Sequence, residues 1–310
     1  MQESHQKFLE KFPLTETGKP LAPFNSMGIG GPADLFFRVN DTAEIETVIK
    51  AAQENKIPYI VLGAGSNLVF ADEGFRGLVI KMGARKIALE SDEIISAEAG
   101  ALLSQVIQFA IKNGLSGMER LMGLPGTVGG ATRGNAGAYG TETKDVFLKA
   151  TLYNSQKGLF EADAKYLNFG YRTSSVKTSK DIIVKVFLKF KKDAALAATA
   201  KAEAMDILKN RISKQPKGKC SGSFFKNPGD TPELKAGYML EQCGCKGLQV
   251  GEAKVAMEHA NWIMNLGAAT QKDVLALSSI MQEKVKSKFN VSLEREVQFM
   301  TADGFLLPSM

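Results

Sequence analysis

Residues 123–140 read GLPGTVGGATRGNAGAYG and contain seven glycines in eighteen positions. Ordering so many glycines costs conformational entropy, and an ordinary surface loop has no need of them. A flexible linker is the alternative, but linkers are rich in serine and poor in the valine, leucine, proline and tyrosine of this run. The run therefore indicates main chain that approaches a flat, polar ligand closely, and it predicts a phosphate-bearing cofactor, with FAD as the first choice.

A second glycine segment follows an apolar stretch. Residues 57–62, IPYIVL, are typical of a buried strand, and 63–68, GAGSNL, come directly after it. Glycines at a strand end allow a tight turn and leave backbone N–H groups open to phosphate oxygens. The segment matches neither the dinucleotide pattern GxGxxG nor the phosphate loop ending in Gly-Lys-Ser/Thr. Taken alone, it is compatible equally with a pyrophosphate site and with a plain turn.

Length and composition predict a two-domain globular protein. The chain has 310 residues, of which 44% are hydrophobic and 23% charged, and a single core rarely grows to this size. No run approaches the roughly 18 apolar residues that a membrane span needs. The N-terminal residues lack a basic-then-apolar signal pattern, so we expect a cytoplasmic protein without a membrane partner.

Charge and cysteines limit the partners. The net charge of +6 is compatible with nucleic acid or with a small polyanion, but the scattered lysines favour the small polyanion and no nucleic-acid partner. Cys243 and Cys245 are too close for the usual metal or redox pair, and the chain has two histidines. We therefore interpret the three cysteines as buried thiols in a reducing compartment and expect no metal.

Hydrophobic periodicity predicts helices and strands on both sides of the glycine run, which itself has no usable period. A capping box at 41–44 is expected to begin the first helix. The predicted helices are 42–55, 102–111, 193–213, 236–243 and 271–288. The predicted strands are 57–62, 78–80, 87–89, 94–97, 146–153, 159–162, 182–191, 222–226, 253–257, 262–265 and 291–300. The helix near 193–213 marks the domain boundary, with a cofactor domain over 1–195 (lobes of about 1–75 and 76–195) and a smaller domain over 196–310.

Several motifs in one order make the chain resemble the UDP-N-acetylenolpyruvoylglucosamine reductase family. They extend from about residue 24 to residue 300, and together they are far more specific than any one alone. The matching segments are 25–33 NSMGIGGPA, 62–69 LGAGSNLV, 124–140 LPGTVGGATRGNAGAYG, 169–174 FGYRTS, 221–228 SGSFFKNP, 258–261 EHAN and 293–297 LEREV. Arg133 and Gly134 depart from the bulkier or apolar residues expected in the flavin segment.

The resemblance implies a fold and an activity. The fold class is α+β, with an FAD-binding domain of the vanillyl-alcohol oxidase and p-cresol methylhydroxylase type followed by a smaller α+β substrate domain. In the implied reaction NADPH reduces non-covalent FAD, which then reduces the enolpyruvyl ether of UDP-N-acetylglucosamine to UDP-N-acetylmuramate for peptidoglycan. The short segment between Arg172 and Ser223 resembles the subgroup without an extra tyrosine-bearing loop. A monomer acting on a small nucleotide sugar is expected.

The same resemblance implies three catalytic residues. Arg172 would hold the substrate carboxylate through its guanidinium fork, since hydride addition leaves negative charge beside it. Ser223 would be the general acid. Glu296 would help to polarise the carboxylate, although Glu294 shares its face of the predicted strand. The unspecialised alternatives are a surface ion pair for Arg172, a strand residue for Ser223 and a solvated carboxylate for Glu296.

Further residues carry over as binding groups. Tyr171, Lys214 and Asn227 are expected to bind substrate or pack near the flavin, whereas His259 is expected to be structural. The expected FAD contacts are Gly63, Ala64, Gly65, Ser66, Asn67, Leu68, Pro125, Gly126, Thr127, Gly129, Gly130, Asn135, Ala136 and Gly137.

Two other functions stay open. One is an FAD-dependent oxidase on the same scaffold with covalently attached flavin, but histidyl attachment needs a histidine in the flavin domain, and the only one before residue 259 is His5. The other is a non-catalytic module that binds nucleotides or nucleic acid.

Overall fold

The structure, a computed structural model, describes residues 3–309. Its α-helices are α1 Glu3–Lys11, α2 Glu44–Glu54, α3 Leu103–Lys112, α4 Val128–Gly134, α5 Ala164–Leu167, α6 Ala194–Lys214, α7 Ala236–Gln242 and α8 Gln271–Phe289. Its strands are β1 Glu16–Pro20, β2 Pro32–Val39, β3 Tyr59–Leu62, β4 Leu68–Phe70, β5 Phe75–Met82, β6 Ile87–Leu89, β7 Ile94–Glu98, β8 Leu115–Ser116, β9 Gly137–Ala138, β10 Thr141–Glu142, β11 Phe147–Asn154, β12 Gly158–Asp163, β13 Ile182–Lys189, β14 Lys191–Lys192, β15 Lys219–Cys220, β16 Gln249–Val250, β17 Ala253–Val255, β18 Ile263–Asn265 and β19 Gln298–Met300.

The described chain divides into two compact units. The first unit contains the chain up to Thr15, Phe37–Ala64 and Ile80–Ser213, and the second contains Glu16–Phe36, Gly65–Val79 and the chain from Lys214 on. The division therefore falls near the end of α6, about twenty residues beyond the predicted boundary, and two N-terminal segments belong with the C-terminal part. The assignment of substrate binding to residues 196–310 stays a prediction.

The first unit is built on a five-stranded antiparallel sheet. Its strand order is β12-β11-β13-β7-β6, and β11 pairs with β12 without a register shift from Lys149↔Asp163 to Asn154↔Gly158. Alternate residues of β13 face inward, so Val184, Val186 and Leu188 are buried, as the period of a strand requires. Helix α4 packs on β13 and β7, which sets the glycine run against this sheet.

The second unit has its own sheet and core. Strands β15-β18-β17-β16 form an antiparallel sheet, and α8 packs against β16 and β17. Strand β19 pairs in parallel with β4, with Phe299 opposite Val69. Phe224, Phe225 and residues of α7 and α8 fill the core. The core therefore anchors the segments on either side of Ser223 and Glu296.

Most of the periodic helices are confirmed, but three local predictions are wrong. Helix α2 begins with Ala43 at its N-cap, because Asp41 accepts from Ala43 and the Glu44 carboxylate accepts from the N–H groups of Asn40 and Asp41. The strand predicted over 222–226 is reduced to one bridge, Phe225 to Arg295. The strand predicted over 291–300 shortens to β19, because pairing with β4 covers only its last three residues.

Candidate active site

The glycine run folds around a short helix that periodicity did not reveal. Helix α4 occupies Val128–Gly134, and the Thr127 hydroxyl caps it by accepting from the Gly130 N–H at 3.3 Å. Gly129 is required by packing, because a Cβ there would lie 2.7 Å from the Cβ of Ala99. The run ends in the two-residue strands β9 and β10, which pair Gly137 with Glu142. The run is thus a packed helix and hairpin, and Asn135 joins them in the left-handed conformation, at φ 44°.

The loop at 63–68 turns its carbonyl groups toward protein donors. Lys81 donates to the Gly63 carbonyl, while Ser26 donates to the carbonyls of Gly65 and Ser66 at 3.2 and 3.3 Å. Each trans peptide points its N–H opposite to its C=O. The N–H groups of Ala64, Ser66 and Asn67 are therefore turned away from these donors, as an anion site needs.

This arrangement fits FAD. A diphosphate needs backbone N–H groups directed at it and a close approach of backbone. The loop has three N–H groups turned away from its protein donors. Gly65 has φ +68°, and a Cβ on it would lie 2.1 Å from the carbonyl oxygen of Phe24, so position 65 accepts no side chain. Gly63 is less constrained, since its Cβ would lie 2.7 Å from the side-chain hydroxyl of Thr127. In the second unit, Asn67 extends the loop into β4.

Arg172 lies at the tip of a tight turn. Gly170 and Thr173 exchange both backbone hydrogen bonds, at 3.1 and 3.3 Å, which leaves Tyr171 and Arg172 as the two turn residues. Arg172 has φ 57°, a conformation that L-residues with long side chains rarely adopt. Its Nη2 donates to the Gly137 carbonyl at 2.6 Å, and its Cζ lies 4.9 Å from the centre of the Tyr171 ring. The turn therefore aims the guanidinium at the hairpin of the glycine run.

Asn135, which is buried, and Glu142, which is half-buried, connect Arg172 to the hairpin of β9 and β10. The amide of Asn135 donates to the Glu142 carboxylate at 3.1 Å and to the Gly170 carbonyl at 2.9 Å. The other oxygen of Glu142 lies 3.7 Å from Arg172 Nη1. Arg172, expected to meet the substrate, and Asn135, expected to meet FAD, are thus connected through Glu142, which sequence reasoning missed. In the sequence, the only indication of a role for Glu142 was its position two residues after the glycine run.

Ser223 begins a segment held by two buried phenylalanines. Phe224 and Phe225 are 0% and 1% exposed, and their rings meet edge to face at 5.4 Å. The side chain of buried Asn261 both accepts from the Phe225 N–H and donates to its carbonyl, each at 2.9 Å. Asn261 thereby takes the place of a neighbouring strand, while Ser223 itself stays exposed. Sequence reasoning quoted Asn261 within a motif but gave it no role.

Glu296 pairs directly with this segment. Its backbone N–H donates to the Phe224 carbonyl at 2.9 Å, so the structure brings Glu296 beside Ser223 along the backbone. Glu294, the competing carboxylate, forms an ion pair with Lys226 at 2.6 Å and accepts from the Ser309 hydroxyl at 3.4 Å. Glu294 and Glu296 share one face of the segment, as predicted, because the alternate residues Leu293, Arg295 and Val297 are buried on the other face.

A cavity of about 460 Å³ opens at Ser223 in the second unit. Asn227, His259 and Asn261 also line it, with Lys235, Tyr238, Glu241 and Glu258. Asn227 accepts from the N–H of Ala236 at 3.1 Å, at the start of α7. Burial, with a contribution from Lys246, holds the pKa of His259 below its ordinary value. Its Nδ1 accepts from the Asn261 N–H at 3.1 Å, which supports the structural role expected for it.

Other predicted residues are not among those that line this cavity. Lys214 is exposed at the end of α6, and Tyr171, in the first unit, is 46% exposed. The three cysteines carry free thiols, but only Cys245 is buried, so the prediction of buried thiols is wrong for Cys220 and Cys243, which are half-buried. Burial, reinforced by Cys243, raises the pKa of Cys245 to about 11. Within residues 3–309, no three His, Cys, Asp or Glu side chains converge as a metal site, and no helix is long and apolar enough to cross a membrane.

Comparisons with known proteins cover most of the chain. The family model described as an FAD binding domain matches residues 33–161, and the model described as the C-terminal domain of UDP-N-acetylenolpyruvoylglucosamine reductase matches 214–300. The predicted fold class and the predicted FAD cofactor are thereby confirmed. The two models match segments on either side of α6.

Named relatives agree with these matches. The UDP-N-acetylenolpyruvoylglucosamine reductase of Desulforamulus reducens is 41% identical over 294 residues, covering 93% of this chain and 94% of that protein. The same-named protein of Clostridium tetani is 36% identical, covering 93% and 92%. A crystal structure of UDP-N-acetylenolpyruvylglucosamine reductase from Thermus caldophilus superposes with a TM-score of 0.76 at 33% identity, covering 92% of this chain and 97% of that one.

Proposed function

Because the chain belongs to the UDP-N-acetylenolpyruvoylglucosamine reductase family of FAD-dependent oxidoreductases, we propose that it uses NADPH to reduce an enolpyruvyl ether. The substrate is the enolpyruvyl ether of UDP-N-acetylglucosamine, and the product is UDP-N-acetylmuramate, a peptidoglycan precursor made in the cytoplasm. The enzyme works as a monomer on this small nucleotide sugar.

One observation carries the proposal. The hydrogen bond from the Glu296 N–H to the Phe224 carbonyl joins the C-terminal carboxylate segment to the segment that begins at Ser223. The cavity at Ser223 is large enough for part of a nucleotide sugar. A proton donor that lines this cavity and a carboxylate on the neighbouring backbone suit protonation next to a substrate carboxylate.

FAD is held by the loop at 63–68 and by the glycine run. When bound, FAD would supply hydride chemistry at N5, between NADPH and the terminal vinyl carbon of the substrate. The N–H groups of Ala64, Ser66 and Asn67 bind the diphosphate, and the other contacts come from Leu68, Pro125, Gly126, Thr127, Gly129, Gly130, Asn135, Ala136 and Gly137. Attachment is non-covalent.

Arg172 stabilises the charge that develops on the substrate. The carbon beside the carboxylate becomes enolate-like when the vinyl carbon gains hydride, and a guanidinium cannot lose its charge near neutral pH. Its contacts to Gly137 and Glu142 hold it in one orientation before the substrate arrives. Such preorganisation lowers the barrier because the site need not rearrange during the reaction.

Ser223 then donates the proton to that carbon, and Glu296 helps to polarise the carboxylate. A serine hydroxyl is a weak acid, so its alkoxide needs donors or cations nearby. Asn227 and Lys235 line the same cavity. Asn227 and Tyr171 contribute to substrate binding, and exposed Lys214 meets the substrate phosphates.

A two-step anaerobic titration tests this function against its alternatives. The purified protein should be yellow, lose its colour with NADPH, and regain it when enolpyruvyl-UDP-N-acetylglucosamine is added without oxygen. Failure of the substrate to restore the colour would rule out the reductase while leaving FAD binding intact. An oxidase would regain colour only with oxygen, and flavin remaining on acid-precipitated protein would mark covalent attachment. A non-catalytic module would be colourless.

A further inference from the structure

Lys81 is a buried lysine that the proposed reaction does not use. It lies on β5 and is only 7% exposed, a position that lysine occupies rarely unless it is paired. Within residues 3–309 no carboxylate forms an ion pair with it, and its one hydrogen-bond acceptor is the carbonyl of Gly63. An ammonium group has three donors. The side chain thus directs a buried charge at the first residue of the 63–68 loop.

The charged groups around Lys81 are also cations. Arg38 on β2 and Arg85 just after β5 both act on it electrostatically, and both are exposed. The segment directly after β3 presents the uncharged carbonyl of Gly63 to Lys81. Among residues 3–309 no carboxylate forms an ion pair with Lys81, Arg38 or Arg85, so these three positive charges create a local field that favours an anion.

The Gly63 carbonyl links this field to the loop. Since C=O and N–H point in opposite directions across a trans peptide, a donor on the Gly63 carbonyl turns the Ala64 N–H the other way. A cation on the carbonyl also polarises the peptide and makes its N–H a stronger donor. Gly63 also packs closely on Thr127, because a Cβ on Gly63 would lie 2.7 Å from the Thr127 hydroxyl oxygen.

We propose that Lys81 is a positioning residue for the cofactor, holding the Gly63–Ala64 peptide so that the Ala64 N–H donates to the diphosphate of FAD, while the charges of Lys81, Arg38 and Arg85 attract that diphosphate. This role rests on the proposed FAD contacts of the 63–68 loop. It gives the loop a dependence on pH that a plain structural lysine would not have.

The sign of this dependence follows from burial. Burial, with Arg38 and Arg85, lowers the pKa of Lys81 to about 8. Bound diphosphate favours the charged lysine, so its pKa rises when FAD binds. The affinity for FAD is then constant below pH 8 and falls as the pH rises above the pKa of the FAD-free protein, by up to about tenfold per pH unit.

The test is equilibrium dialysis of the full-length protein against FAD, between about pH 7 and pH 9.5. Wild-type protein should bind FAD at least about tenfold more weakly at the upper end. Lys81→Met should bind at least about tenfold more weakly near pH 7 and show no slope. Lys81→Arg should restore the affinity near pH 7 without a slope, because guanidinium stays charged. Lys209→Met, which removes an exposed lysine of α6, should match wild type.

Two results would overturn the role of Lys81. One is a Lys81→Met protein with wild-type FAD affinity and slope, and the other is an unchanged slope in Lys81→Arg. Thermal unfolding checks that Lys81→Met is folded. If it is not folded, the pH profile of FAD affinity in Lys81→Arg decides whether Lys81 has this role. If wild-type protein binds FAD and is reoxidised by substrate while either result is found, only this inference fails. If wild-type protein binds no FAD, the proposed function fails with it.

Discussion

The side-chain amide of Asn67 donates a 2.9 Å hydrogen bond to the backbone carbonyl of Glu296. The link is reinforced because the carbonyl of Asn67 accepts from the N–H of Gln298 at 3.1 Å, where β4 and β19 begin to pair. A loop residue expected to bind FAD is therefore fastened to the segment that carries the proposed catalytic carboxylate.

This link predicts that Asn67→Ala impairs both FAD binding and the reaction with substrate. Losing this partly buried hydrogen bond costs about 1–2 kcal/mol, or roughly tenfold in each property. Fluorescence titration with FAD and stopped-flow reoxidation measure the two effects. Asn113→Ala is the matched control, because that asparagine bonds only within the end of α3. Wild-type values for both properties in Asn67→Ala would remove the link from the mechanism.

Ser223→Ala should separate the two half-reactions. Reduction of the flavin by NADPH should keep its wild-type rate, whereas reoxidation by the enolpyruvyl substrate should slow by about 10²–10⁴-fold, the usual contribution of a general acid. Ser221→Ala is the control, since the Ser221 hydroxyl lies 3.3 Å from that of Ser26 and has no proposed part in proton transfer. Equal slowing of both half-reactions would take the acid role away from Ser223.

Glu296→Gln and Glu294→Gln should differ sharply. Glu296→Gln should slow reoxidation by about tenfold or more, because an amide cannot take up or release a proton as a carboxyl group does. Glu294→Gln breaks an ion pair on a partly exposed side chain and should cost less than about 1 kcal/mol of stability with normal kinetics. Steady-state kcat and thermal melting decide between them, and the opposite pattern would move the role to Glu294.

Arg172→Lys should lose the fork geometry while keeping a positive charge. Lysine cannot bond the Gly137 carbonyl and a carboxylate in one plane, so we expect reoxidation to fall by about 10–100-fold and flavin reduction to be unaffected. Arg76→Lys, at an exposed arginine that forms an ion pair with Asp34, provides the comparison. If lysine supported full reoxidation at position 172, a simple positive charge would suffice there.

Two glycines of α4 should respond oppositely to alanine. At Gly129 the new Cβ would meet Ala99, including its backbone oxygen at 3.0 Å, so we expect a loss of about 1–3 kcal/mol in unfolding free energy. At Gly134 nothing lies within 4 Å, so alanine should stabilise by up to about 1 kcal/mol. Urea unfolding measures both. A stable Gly129→Ala protein would contradict the packing described for α4.

The helices were predictable wherever an apolar stripe repeats at the helical period. Helices α2, α3 and α8 carry such stripes, and their bounds agree with the prediction within two residues. Helix α4 could not be predicted in this way, because its seven residues include three glycines and form no apolar stripe. The segment near Ser223 has a strand-like pattern but forms only an isolated bridge, since Asn261 takes the place of a neighbouring strand.

The chemical groups and their order could be read from the sequence: the glycine run, the 63–68 loop, Arg172, Ser223 and Glu296. Their types and spacing identified the family because those features are local in the chain. The folded protein alone shows that Asn67 bonds to Glu296, 229 residues away, and that Lys81 is buried against Gly63. Periodicity reports which face of an element is buried. It does not report which distant backbone that face meets, because such contacts depend on the packing of elements far apart in the chain.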